Sequence, residues 1–200
     1  MSKVFIFVNG ILNLPGDVSA WTDRAESWIE ANTNYKATKM EYFTSALLRR
    51  IHQEDRVDNL KTICERYGDH KIVLVGHSNG CDVILRLIAR NQLDFHSVHL
   101  IAGACEKDFN KNLLNNALRD GSVGKVTVYW SKRDKALKKA KLSTRLFGWL
   151  GLGYGYLGLV GPVNVDDDVS GRVESYERRF DHSQWFSQKN FNDLMTKVVA

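Results

Sequence analysis

Residues Lys71 to Gly80 read KIVLVGHSNG: a buried-type apolar run of strand length, the pentapeptide Gly76-His77-Ser78-Asn79-Gly80, and then an apolar-periodic stretch from about Gly80 to Arg90. A five-residue pattern of this kind carries little alone, and its flanks carry the argument. A serine on a sharp strand-to-helix turn holds its hydroxyl clear of the sheet, and Gly76 and Gly80 lack the β-carbons that would clash across such a turn. The following helix points its positive end and free N–H groups at any oxyanion formed there. The plainer reading is a serine that merely caps the helix beginning at Asn79.

Outward from this stretch, β-branched, apolar runs of strand length recur at Val4 to Val8, Val98 to Ile101 and Val126 to Trp130, with a weaker one around Ala37 to Tyr42 and a further strand over Arg172 to Phe180. Helical spacing fills the intervals. A first helix starts near Asp17 or Ser19 and puts Trp21, Ala25, Trp28 and Ile29 on one face; a broken stripe, one helix or two, covers Ser45 to Tyr67; another helix is expected from about Asn110 to Leu118. Strand and helix alternate along most of the chain. The expected fold is therefore α/β: one domain over residues 1–200, with a mostly parallel sheet of about six strands and helices on both faces. Ligands of such sheets bind at the carboxyl ends of the strands, so functional residues are sought just after them.

In its order of elements and its G-x-S-x-G elbow the chain resembles the α/β-hydrolase superfamily, especially its small, compact lipase- and esterase-like members. The resemblance implies a catalytic serine at Ser78, followed along the chain by an acid and then a histidine, each in a loop after a late strand. Of the six histidines, His52 and His70 precede the serine, His77 is locked in the elbow, and His96 and His99 flank a strand before any good acid. His182, in RRFDHSQWF, follows every candidate acid. Asp134 stands four residues after the strand VTVYW and is the expected acid; Glu106 and Asp108, after the preceding strand, stay open as alternatives. Asp181 is set aside because neighbouring side chains rarely face each other well. The run Asp166 to Asp168 lacks the spacing and glycine of a calcium loop, and neither a metal nor a cofactor is expected. For the oxyanion hole the resemblance implies the backbone N–H of Asn79 and that of Ile11 in the loop FVNGILNLPG, where Asn9 stands in place of the usual histidine.

Charge and cysteine content narrow the setting. The net charge is +5, but the window from Lys132 to Arg145 holds seven basic residues and one acidic one, leaving roughly −1 for all the rest. A basic coat for nucleic acid is thereby excluded, and one local patch remains. In that window Lys138, Lys141 and Arg145 share a face at helical spacing, while Leu137, Ala140 and Thr144 line another, as in helices that lie on anionic amphiphile surfaces. A solvated outer face is the plainer reading. Three cysteines, Cys64, Cys81 and Cys105, lie in or beside apolar stretches without C-x-x-C spacing, which fits reduced, mostly buried thiols. With an apolar run of only five residues before Asn9, MSKVFIFVNG does not fit a secretory signal, and a cytoplasmic location is expected.

Between acid and base, Leu146 to Val165 runs twenty residues without a charge, LFGWLGLGYGYLGLVGPVNV, six of them glycine. So many glycines weaken any spanning helix, and the segment is expected to form an apolar lid or acyl-binding wall, or else a buried loop. Trp149, Leu150, Tyr154, Tyr156 and Leu157 would then contact an apolar acyl group. The expected activity is cleavage of a carboxylic ester or thioester of a small acyl substrate. The alternatives are an amidase or peptidase with the same residues, or a non-catalytic binding protein on the same fold.

Overall fold

The computed structural model describes residues 2–10, 20–40, 42, 52–147 and 155–200. Six strands run in the order β2-β1-β3-β4-β5-β6, every neighbouring pair parallel: β1 Lys3–Val8, β2 Lys36–Met40, β3 Lys71–His77, β4 Ser97–Ile101, β5 Val126–Trp130 and β6 Val173–Glu177. The helices are α1 Ala20–Asn32, α2 Gln53–Glu65, α3 Asn79–Ala89, α4 Leu114–Asp120, α5 Lys135–Phe147, α6 Leu157–Val160, α7 Asp167–Ser170 and α8 Gln188–Val199, with a 3-10 turn at Gln184–Phe186. This is the expected parallel α/β sheet.

The continuous apolar runs of β1 and β3 follow from burial on both faces. Successive side chains alternate. Val4, Ile6 and Val8 join Leu74 in a core with Val57 and Leu60 of α2 and Ile84 and Leu87 of α3. Phe5 and Phe7 join Val73 and Val75 on the other face, under Trp21, Ala25 and Ile29 of α1 and Phe191, Leu194 and Val198 of α8. The edge strands β2 and β6 carry half-exposed residues, and lysines on β2 discourage further strand pairing.

From β1 the chain crosses by α1 to β2, then returns by α2, on the opposite face, to β3 on the far side of β1. The direction in which strands are added to the sheet thus reverses between β1 and β3. A crevice opens at the carboxyl ends of those two strands, where open parallel sheets bind ligands.

Two expected boundaries and one expected contact residue are corrected. The helix anticipated from Asn110 starts only at Leu114, because Asp108 accepts the N–H groups of Asn110 and Lys111, Asn112 accepts that of Leu114, and Leu113 sits in the left-handed region at φ 65°. These side chains offer the backbone a turn in place of a helix. β6 ends at Glu177 and not Phe180; the N–H of Arg178 still reaches the carbonyl of Trp130, and pairing stops there. The described end of the glycine-rich segment is a buried structural piece, with Leu157 fully enclosed in the core. The N–H groups of Leu157 and Gly158 donate to the carbonyls of Cys105 and Gly103, and the carbonyl of Gly158 accepts the N–H of Ser131. A β-carbon at Gly158 would lie 2.3 Å from the carbonyl carbon of Ala102, so glycine here permits a close backbone approach. Leu157 therefore does not present a wall to substrate.

Candidate active site

Ser78 alone makes the turn between β3 and α3, with φ 53° and ψ −119°. A side-chain-bearing residue at positive φ is strained by on the order of 1–3 kcal/mol and needs surroundings that over-determine it. Here its N–H donates to the carbonyl of Ile101 at 3.0 Å, and its carbonyl accepts from Cys81 at 3.2 Å and from Ala104 at 3.0 Å. The Ser78 side chain makes no capping bond to α3, so capping does not explain the serine. The flanking glycines are needed for space: a β-carbon at Gly80 would lie 2.3 Å from the Val8 carbonyl oxygen, and one at Gly76 would lie 2.7 Å from a methyl of Ile84.

Asp134 follows β5 and is fully buried. Its Oδ1 accepts the N–H of Leu137 at 2.8 Å, capping α5, while Oδ2 lies 2.7 Å from Nδ1 of His182. One carboxylate thus closes a helix and orients an imidazole. His182 follows β6 and keeps about a fifth of its side chain exposed. The two loops are tied to each other by Asp181, which was set aside as an acid: its Oδ1 accepts the N–H of Lys135 at 2.9 Å and of His182 at 2.9 Å. Those bonds, Lys135 first, hold the Asp181 carboxyl below its usual range. A second tie runs from the Ser131 hydroxyl to the carbonyl of Phe180 at 2.5 Å. Glu106 and Asp108, the alternatives, are engaged elsewhere. Glu106 accepts the N–H groups of Lys107 and Asp108, and Asp108 accepts those of Asn110 and Lys111 and the amide of Asn164.

His182 is brought to the elbow by an aromatic nest. The ring of His77, the residue before Ser78, lies 4.8 Å from that of His182 and 4.8 Å from that of Phe186, and Phe186 stacks on Trp21 at 4.4 Å. Burial, then the neighbouring His182, push the His77 imidazole well below its usual range, against a weaker main-chain contact from His182. His77 is therefore neutral. Neither of its ring nitrogens has a hydrogen-bond partner of normal geometry.

Beside the elbow lies the loop after β1. A β-carbon at Gly10 would lie 2.8 Å from Cβ of Ser78, so this backbone passes directly against the serine. Asn9 is fully buried, and its Oδ1 accepts the N–H of Gly10 at 2.8 Å and Nε1–H of Trp21 at 3.0 Å. The Gly10 amide is thereby occupied. Ile11 lies outside the described residues, as do Trp149, Leu150 and Tyr154. Asn79 is buried as the first residue of α3, and its Nδ2 donates to the Tyr42 hydroxyl at 2.9 Å. The main-chain N–H of a first helical residue is among those a helix leaves unpaired. Tyr156 is half-buried, with the ammonium groups of Lys107 and Lys141 at 5.3 and 5.1 Å from its ring centre.

Sequence reasoning did not single out Asp181, Ser131, Trp21 or Phe186 for the site. Their signal was only proximity to Asp134, His182 and Asn9 in space. The three cysteines are buried and free. Asp166 and Asp168 close on Arg119 at 2.8 Å each, an exposed ion-pair cluster. Among the described residues no group of histidine, cysteine and carboxylate side chains could hold a metal ion, and no helix is long and apolar enough to cross a membrane.

No family model and no curated protein matches the chain by sequence. Solved structures do match its fold. A lipase-esterase related protein from Clostridium acetobutylicum superposes with a TM-score of 0.60 at 12% identity, over 98% of this chain and 93% of that one. A protein assigned to the hydrolases of the alpha/beta superfamily, from Xanthomonas campestris pv. campestris, gives 0.58 at 10% identity over 98% and 95%. FphF, a fluorophosphonate-binding serine hydrolase of Staphylococcus aureus, gives 0.53 at 12% identity over 100% and 84%. In strand order, all-parallel pairing and helices on both faces, the chain has the α/β-hydrolase fold.

Proposed function

We propose that the protein is a serine hydrolase cleaving a carboxylic ester or thioester through an acyl-enzyme on Ser78. The observation that carries this reading is the 2.7 Å contact between Asp134 and His182, on loops that open at the same carboxyl end of the sheet as the strained Ser78 turn. A buried carboxylate on Nδ1 fixes the tautomer that leaves Nε2 free to accept a proton.

In the proposed cycle Nε2 of His182 takes the Ser78 hydroxyl proton as Oγ attacks the carbonyl carbon. Asp134 stabilises the imidazolium without itself being protonated. The N–H of Asn79 and one from the loop after β1 receive the oxyanion. The intermediate collapses as His182 hands its proton to the leaving alcohol or thiol. Water, deprotonated by His182, then attacks the acyl-enzyme, and the acid departs as Ser78 regains its proton.

Against a purely binding role stands the cost of holding Ser78 at positive φ, since strain of that size persists mainly where function uses it. An amidase or peptidase would use the same groups, and substrate panels separate these. The test is labelling by a fluorophosphonate probe. The wild-type chain is expected to label and to cleave short p-nitrophenyl esters, and Ser78→Ala to do neither while melting as a folded protein. Unaltered hydrolysis by Ser78→Ala ends the proposal.

A further inference from the structure

The helix α5 begins at the residue after Asp134 and carries lysines at 135, 138, 139 and 141 with no acidic residue along its length. Leu137, 2% exposed, anchors it against Ala104 and Leu159. At about 100° per residue, Lys135, Lys138, Lys139 and Leu142 fall within roughly 100° of arc on the side opposite Leu137. All four are exposed, and Leu142, at 59%, is the most exposed large apolar side chain among the described residues. Lysines thus flank an apolar side chain that stands exposed among the described residues.

The charge is largely uncompensated. Lys132 pairs with Glu177 at 3.3 Å and Lys135 reaches Asp181 at 3.9 Å. No carboxylate among the described residues pairs with Lys138, Lys139 or Lys141. Lys107, from the loop after β4, joins Lys141 at the ring of Tyr156, extending the basic surface off the helix.

We propose that this face of α5 docks the protein on an anionic lipid bilayer, with Leu142 entering the headgroup boundary, Lys138 and Lys139 lying among the phosphate groups, and Lys141 beside Tyr156 adding to the field from the flank. Several features favour lipid over nucleic acid. The contact face lies on one helix of 13 residues, about 20 Å long, suited to lying flat in an interface. An exposed leucine in the middle of the arc gains from an acyl boundary and gains nothing from a phosphodiester groove. The charges are lysine ammoniums, and the adjoining Tyr156 ring, which a base would need for stacking, is occupied by two of them. The first turn of α5 is bonded to the loop carrying His182 through Lys135 and Asp181, so docking would place the carboxyl end of the sheet, with Ser78, close to the lipid surface. The proposal does not depend on the serine chemistry.

The test uses the whole chain as Ser78→Ala, so that turnover plays no part, and co-sedimentation with phosphatidylcholine vesicles with and without phosphatidylserine. Binding is expected only to the phosphatidylserine vesicles and is expected to weaken with salt. Each lysine near an anionic surface is worth about fivefold in partitioning, so Lys138→Gln plus Lys139→Gln is expected to lower it on the order of 25-fold. Leu142→Ser should lower the part of the binding that survives high salt. Thermal melts of these surface variants are expected to match the parent. Any one of the following outcomes overturns the proposal: no binding at low salt, equal binding to the neutral vesicles, binding indifferent to the lysine pair, or displacement from vesicles by RNA or DNA at equal phosphate concentration.

Discussion

The imidazole of His77 lies 4.8 Å from that of His182, tilted by 44°, with Phe186 and Trp21 completing the nest. Charged, His77 would repel a protonated His182; buried, it stays neutral and serves as a wall that positions the second ring.

That relationship predicts the effect of His77→Phe. Phenylalanine removes two buried nitrogens that lack partners, so stability should be unchanged or rise by up to about 1–3 kcal/mol. Ester turnover should stay within roughly tenfold of wild type, or about 1.4 kcal/mol in the barrier. A loss of three powers of ten, with the fold intact, would show that His77 takes part in the reaction.

Asp134 bonds both to His182 and to the first turn of α5, and two substitutions separate these roles. Asn is as good a cap as Asp, so Asp134→Asn should keep the helix while disturbing the tautomer, with turnover falling on the order of 10⁴-fold. Asp134→Ala should lose comparable activity and in addition about 1 kcal/mol or more of stability. Urea melts and steady-state rates on both variants check this; full activity in Asp134→Asn would be decisive against the assignment.

Asn9 gathers the N–H of Gly10 and the indole N–H of Trp21 on one oxygen, in a loop that touches Ser78. Asn9→Ala leaves both donors without that acceptor, at about 1–3 kcal/mol for each that stays buried. Because the same loop is proposed to supply an oxyanion donor, kcat should fall more than KM changes. If only the melting midpoint moved and kcat did not, Asn9 would be structural alone.

Acid should destabilise the fold through its buried histidines. On β4 the ring of His99 lies near the Tyr129 hydroxyl and the Ser97 hydroxyl, and burial, then Lys125, Lys3 and His96, push its pKa down to about 3. In the unfolded chain a histidine titrates near 6.5. Between those values the unfolded state holds a proton that the native state lacks, so stability falls as pH drops, by about 1.4 kcal/mol per pH unit for one such group. His77 acts in the same direction. His99→Gln should flatten the dependence of the urea midpoint on pH within this window and leave it unchanged above. Parallel curves for the two proteins would refute the attribution.

The chain alone announces its sheet and its elbow, because both depend on local rules. Runs such as VFIFV and IVLV are apolar at every position only when both faces of a strand are covered, and a strand, two glycines and a periodic helix around Ser78 define a turn without reference to anything distant. The order of strands is not local, and neither is the choice of acid. Asp134, Glu106 and Asp108 all follow strands; what distinguishes them is that β5 lies beside β6 in the sheet, so that a residue 48 positions away reaches Asp134 and not the others. The clasp by Asp181 was hidden for the same reason, since its partner is the backbone of Lys135 and sequence adjacency to His182 suggested only a poor side-chain geometry. With Leu157 the ambiguity ran in the opposite direction: an apolar, glycine-rich run reads equally as cleft or core, and only the close packing of Gly158 on Ala102 and Gly103 decided that Leu157 itself is core. Periodicity reports which faces are buried, whereas partners across the sheet are set by topology, which no window of sequence contains.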